Sequence, residues 1–224
     1  VPESTRSDSF QSEAALEKEF IRLLTEQGYA YLPIHDEAGL IANLRQQLEL
    51  LNDYTFTDSE WVRFFKETVS NKNEGMVEKS RTIQTDHIKV LRRDDGTSKN
   101  IQLIDKKNIH NNRLQVINQY EEEGGQHESR YDVTILVNGL PLIHVELKRR
   151  GVVIREAFNQ IKRYQRESFW ASSGLYEYVQ IFIISNGTHT KYYSNTTRNS
   201  HIKENGDPSK PKSKKTSNSF EFTS

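Results

Sequence analysis

Apolar residues recur along this chain with two periods, and the change from one to the other divides it. From Ser12 to Gln27 the residues Leu16, Phe20, Leu23, Leu24 and Gln27 fall at helical spacing, with Ser12 placed to cap the helix and Gly28 to stop it. Tyr29, Tyr31 and Leu32 read as a short extended segment before Pro33. A second helix is predicted over 40–51, and a third begins at the capping-box pattern Thr57-Asp58-Ser59-Glu60 and carries Trp61, Phe64 and Phe65. From about residue 82 the period drops to two. Strands are predicted over 82–91, 100–104, 113–120, 131–137 and 142–148, broken by the turn segments DDGTSKN and DKKNIHNN and the loop EEEGGQHES. A helix over 155–167, a strand over 178–185, a turn at Asn186-Gly187 and a strand over 190–195 complete the pattern. The order implies a mixed α/β sheet flanked by helices.

One folded unit is expected over 12–195, with a helical insert at about 38–70, a flexible lead-in over 1–11 and a Lys-rich linker over 196–224. The chain ends on FEFTS, a strand-like piece without a partner, so the natural protein is expected to continue past Ser224.

The segment YDVTILVNGLPLIHVELK reads as two strands around Asn138-Gly139. Strand alternation places Val133, Ile135 and Val137 on one face with Ile143, Val145 and Leu147. The opposite face carries Asp132, Thr134 and Leu136 with His144, Glu146 and Lys148. For the faces to match, Asp132 must lie across from an even-numbered residue. A plain two-residue turn would place it across from Val145. A longer connection or a β-bulge is therefore predicted, and Pro141 suits an irregular strand.

Two carboxylates on one face repel unless a cation neutralises them. Hard oxygen ligands with open positions suit Mg²⁺, which keeps waters and takes phosphate oxygens. An ammonium two residues beyond Glu146 can orient or deprotonate a water, or offset charge on a phosphate. The set Asp132, Glu146 and Lys148 is what phosphodiester hydrolysis needs. A solvated hairpin face with a cross-strand ion pair explains the same three residues, because short motifs recur by chance.

Composition narrows the field. The 224 residues contain no Cys, which excludes disulfides, thiolate metal sites and thiol nucleophiles. The first residues, VPESTRSDSF, lack the apolar stretch of a signal peptide, and no apolar run reaches membrane-spanning length. A soluble, cytoplasmic protein is expected. Lys+Arg and Asp+Glu are balanced at 31 each, yet the charge is unevenly spread. From Lys148 to Arg166 seven Lys and Arg stand against one acid, Glu156, and from Arg198 to Lys215 six stand against two. Basic segments beside the candidate site are the electrostatic footprint of phosphate contacts. The second stretch reads equally as a solvated linker.

Asp132, thirteen residues, then Glu146-Leu147-Lys148 resembles the PD-(D/E)xK nuclease superfamily, with Tyr131 where the family often has Pro. The order of elements is similar to that family's core. Gln160 and Tyr164 form a Q-x-x-x-Y pattern on one helix face, an extension similar to RecB-like nucleases and to the R subunits of type I restriction enzymes. Longer stretches resemble an IC-type R subunit: QSEAALEKEFIRLLTEQGY, DSEW, LIDKKN, RYDVTILVNGLPLIHVELKRRGV, IREAFNQIKRY and FIISNGT.

The resemblance implies an N-terminal Mg²⁺-dependent endonuclease domain that cuts double-stranded DNA. It also implies ATP-driven motor domains farther along the parent protein, and methyltransferase and specificity subunits as partners. No Gly-rich phosphate loop ending in Gly-Lys-Ser/Thr occurs here, so ATP is expected to serve the parent and not this segment. By the same resemblance Asp132, Glu146 and Lys148 are catalytic, with Gln160 and Tyr164 beside them. Glu17 is expected to join Asp132 and Glu146 at the metal, with Glu13 as its substitute.

Each supporting residue has a plainer explanation: an amphipathic helix for Gln160 and Tyr164, a favoured carboxylate in the first turns for Glu13 and Glu17. His144 is read as a neighbour of the site. A catalytically silent DNA- or partner-binding module with the same fold remains an alternative. So does a phosphodiesterase of repair or recombination.

Overall fold

A computed structural model of the protein describes residues 12–122, 124 and 129–195. The expected lead-in, most of the EEEGGQHES loop and the Lys-rich tail lie outside these residues. In chain order the elements are α1 (Glu13–Glu26), β1 (Ala30–Tyr31), α2 (Glu37–Asn52), α3 (Asp58–Phe64), α4 (Met76–Gln84), β2 (Ile88–Arg92), β3 (Ser98–Gln102), β4 (Leu114–Glu122), β5 (Ser129–Val137), β6 (Leu140–Leu147), α5 (Ile154–Glu167), β7 (Ile181–Ser185) and β8 (Thr190–Ser194). A single π-helical turn, Phe65–Val69, extends α3.

Six strands form a mixed sheet in the order β1-β4-β5-β6-β7-β8, while β2 and β3 pair separately. β4, β5 and β6 run antiparallel, and β7 lies parallel to β6. That parallel step needs a crossover, which α5 supplies.

The local signals are chemical. Ser12 accepts from the Ala15 N–H at the start of α1. Thr57 and Glu60 close a reciprocal capping box on α3. The expectation of a strand over 82–91 is corrected: residues to Gln84 are helical and the strand begins at Ile88. Tertiary contacts decide this, since α4 buries Lys79, Ser80, Thr82 and Ile83 against the molecule, and local strand propensity is overridden. The strand expected over 178–185 is shortened as well, because Leu175–Tyr178 form a 3₁₀ turn.

Both faces of the sheet are covered. On one, α1 contributes Leu16, Phe20, Ile21 and Leu24 against Val116, Val133, Ile135, Val145 and Leu147. Leu23, expected in that face, is 42% exposed. On the other, α2, α3, α4 and α5 build the larger core, with Leu44, Phe64, Ile83, Ile161 and Tyr164 packing with Leu136, Leu142 and Phe182. The hairpin thus has two buried faces, and the polar residues of the second are enclosed by helices.

The β5–β6 hairpin resolves the register problem. Asn138 and Gly139 both have positive φ, 51° and 82°, the pattern of a type I′ turn. A Cβ on Gly139 would meet the Leu44 backbone at 2.6 Å, so both conformation and contact require glycine. The tight turn pairs Val137 with Leu140 and Leu136 with Pro141. A bulge then shifts the ladder, and Ile135 pairs with Ile143 and Val133 with Val145. Continued by one residue, this register sets Asp132 level with Glu146.

Candidate active site

Glu146 lies near the end of β6, between β5 and β7, and is completely buried. Its Oε1 accepts from Lys148 Nζ at 3.0 Å. Its Oε2 has no hydrogen-bond partner among the described residues and lies 3.5 Å from His144 Nε2. Asp132 approaches from β5, and its Oδ2 accepts from the Leu147 backbone N–H at 2.8 Å. Burial, and then the adjacent Glu146, push the Asp132 carboxyl up to about 7, against the pull of the Leu147 N–H and Lys148. Burial alone would lower the Lys148 ammonium, but attraction to Glu146, their hydrogen bond and Asp132 outweigh it, and its pKa is raised. Lys148 is therefore held as a cation.

A backbone irregularity frames the site. Gln119 adopts φ 52°, in the left-handed region, directly across β4 from Asp132 on β5. On one side of this point Val116 and Val133 face α1; on the other, Tyr120 and Tyr131 face the large core. The alternation of both strands switches here together. A non-glycine residue so placed carries strain of about 1–3 kcal/mol, which is characteristic of functional sites. No pattern of apolar residues could have announced the switch.

Glu17 sits beside this irregularity. Its two oxygens accept from the carboxamides of Asn118 and Gln119, and Asn118 accepts in turn from the Tyr31 hydroxyl. The Glu17 charge acts on Asp132, but its oxygens are engaged elsewhere. Glu13 accepts from the Arg149 backbone N–H at 3.2 Å. Among the described residues no three His, Asp or Glu side chains converge as a ready metal cluster. The expected trio of Asp132, Glu146 and Glu17 is thus not assembled as a set of three ligands.

The Asp132 and Glu146 pair still suits a cation. One buried carboxylate oxygen lacks a partner among the described residues and the neighbouring acid is lifted by burial and then by repulsion, and a hard divalent ion would relieve both.

Gln160 and Tyr164 meet on α5: the Gln160 carboxamide donates to the Tyr164 hydroxyl at 2.5 Å, and that hydroxyl donates to the Arg130 carbonyl at 2.9 Å. Burial first, and then Glu146, push the Tyr164 phenol up to about 12, so the hydroxyl remains a donor. The pair braces β5 two residues before Asp132. Around this corner Arg149, Arg150, Arg155, Arg163 and Arg166 are exposed. Arg166 is partly neutralised by Glu167.

Residues 10–201 match the family described as the type I restriction enzyme R protein N terminus. The chain belongs to that family. It is 47% identical over 223 residues to the type I restriction enzyme EcoprrI endonuclease subunit of Escherichia coli, covering 99% of this chain and 66% of that protein. It is 42% identical over 192 residues to the SauMSSORF170P endonuclease subunit of Staphylococcus aureus, covering 84% of this chain and 20% of that protein. A putative type I subunit of Methanocaldococcus jannaschii, MjaIXP, is 32% identical over 117 residues, 49% of this chain. The chain therefore spans only part of these relatives.

Among the described residues no helix is long and apolar enough to cross a membrane.

Proposed function

We propose that this R-protein N-terminal region is a PD-(D/E)xK endonuclease domain that hydrolyses phosphodiester bonds of double-stranded DNA with Mg²⁺. The observation that carries the reading is the level placement of Asp132 and Glu146 on neighbouring strands, with Lys148 bonded to Glu146. Asp132 and Glu146 would hold the ion. Bound there, Mg²⁺ would polarise a phosphate and acidify a water. Lys148, held as an ammonium, donates to the phosphate oxygens as negative charge builds, a role that requires its proton. Glu17 contributes field and holds Asn118 and Gln119. Gln160 and Tyr164 keep Asp132 in place through Arg130. The exposed arginines of 149–166 would contact the DNA backbone.

In the full-length protein this domain would act with ATP-driven translocation and with methyltransferase and specificity subunits. Asp132→Ala, Glu146→Ala and Lys148→Ala should each lower DNA cleavage by the assembled enzyme by about 10³-fold or more while ATP hydrolysis persists. Normal cutting by all three would refute the assignment.

A further inference from the structure

His144 belongs to the buried face of the same hairpin, and no role above uses it. It is fully buried, and neither ring nitrogen has a hydrogen-bond partner among the described residues. Four aromatic rings hold the imidazole: Tyr131, Tyr164, Phe169 and Phe182, with centroids 5.4, 5.9, 5.7 and 6.5 Å away, all edge to face. A polar ring in such a cage must find a partner or lose its hydrogen bonds to water without return. A buried acceptor lies beside it, the one Glu146 oxygen that also lacks a partner among the described residues. It lies 3.5 Å from Nε2, just beyond hydrogen-bond length, so a small closure satisfies both atoms.

We propose that His144 is a positioning residue whose Nε2–H seats Glu146 Oε2, turning Oε1 toward Lys148. A carboxylate offers only lone pairs, so the proton must lie on Nε2; the other tautomer would set lone pair against lone pair. The four rings hold the imidazole in place, and the imidazole fixes the rotation of the carboxylate. Lys148 takes the other oxygen. Glu146 is thereby held from both sides with a second lone pair on each oxygen still open to a cation, while Asp132 accepts, among the described residues, from the Leu147 N–H. The functional consequence rests on the endonuclease reading; the contact itself does not.

Two measurements separate the contact from its consequence. Imidazole-nitrogen NMR of the 224-residue chain should show the Nε2–H tautomer at His144, with a signal perturbed by Glu146→Gln; a proton on Nδ1 overturns the proposal whether or not metal binds. His144→Phe matches the apolar cage and should melt at or above the wild-type temperature. It should nevertheless weaken Mn²⁺ binding by the chain, and cleavage by the assembled enzyme, about 10–100-fold, as loss of a partner behind a ligand does. His144→Gln, which can place an N–H near the same point, should recover most of both. Wild-type Mn²⁺ affinity in His144→Phe, or no recovery in a folded His144→Gln, overturns the proposal. If His144→Phe fails to fold, His144→Asn takes its place, since its amide is too short to reach Glu146. Absence of Mn²⁺ binding by the wild type would count against the metal-dependent reading, and the tautomer would still decide the contact.

Discussion

Two lysines of this molecule are paired with glutamates in sheltered positions, and the two pairs are built on opposite plans. Lys79, on α4, is almost wholly buried, and its ammonium donates to the Gly174 carbonyl at 2.8 Å and to Glu177 at 2.9 Å above the Tyr178 ring. Glu177 keeps some contact with solvent. Every charge in that pair is answered. At Lys148 and Glu146 the proportions are reversed: the acid is the fully buried member, one of its oxygens is left over, and a second acid crowds it. A satisfied buried pair ties elements together. An under-satisfied one beside a like charge raises the energy of the fold and is where a ligand cation gains most.

The contrast breaks first on stability. Lys79→Ala leaves Glu177 without its cation and the Gly174 carbonyl with the Glu177 N–H alone among the described residues, and should cost about 3–5 kcal/mol in urea unfolding. Glu146→Gln removes one of two crowded acids and should cost under about 1 kcal/mol, or stabilise. Equal losses from the two substitutions would mean that the pairs do not differ in kind.

Asp132 sharpens it through pH. Its folded pKa, about 7, lies above the ordinary 3.8, so the folded state binds the proton more tightly than the unfolded chain. Stability from this group is fully present below about pH 4, falls as pH rises toward 7, and is flat beyond. The full difference is on the order of 2–4 kcal/mol. Asp132→Asn should therefore raise Tm at pH 8 by roughly 5–10 °C and by little at pH 4. Mg²⁺ should raise the wild-type Tm more than that of Asp132→Asn. A variant that melts with the wild type at both pH values would show that Asp132 is not under this strain.

How far these differences could be read from residues alone depends on the range of the interaction. The caps at Ser12 and Thr57 are local chemistry and were legible. The need for an irregularity near Pro141 followed from parity, because a one-residue slip would have exchanged every side chain between faces. The second face was read as polar without the helices that enclose it, since strand periodicity says nothing of what later covers a face. The end of α4, 82–84, lay inside a segment read as strand, and the helix is held in place by Lys79, which reaches a loop nearly a hundred residues away. Gln119 carries no signal at all: its left-handed backbone is imposed by Glu17 and the paired strand.

The finest test concerns Tyr164, whose hydroxyl is the point through which Gln160 reaches the site among the described residues. It accepts from Gln160 and donates to Arg130, two residues before Asp132, while its ring packs on Tyr131 at 4.8 Å. Tyr164→Phe keeps the ring and removes both bonds, a loss of about 1 kcal/mol each at most. Cleavage by the assembled enzyme should fall roughly 3–10-fold, as should that of Gln160→Ala. Because both act through one oxygen, the double variant should be no worse than the single ones. Multiplying defects would instead place Gln160 on the DNA or the ion independently of Tyr164. That outcome would make α5 a direct participant, where its geometry assigns it to bracing β5.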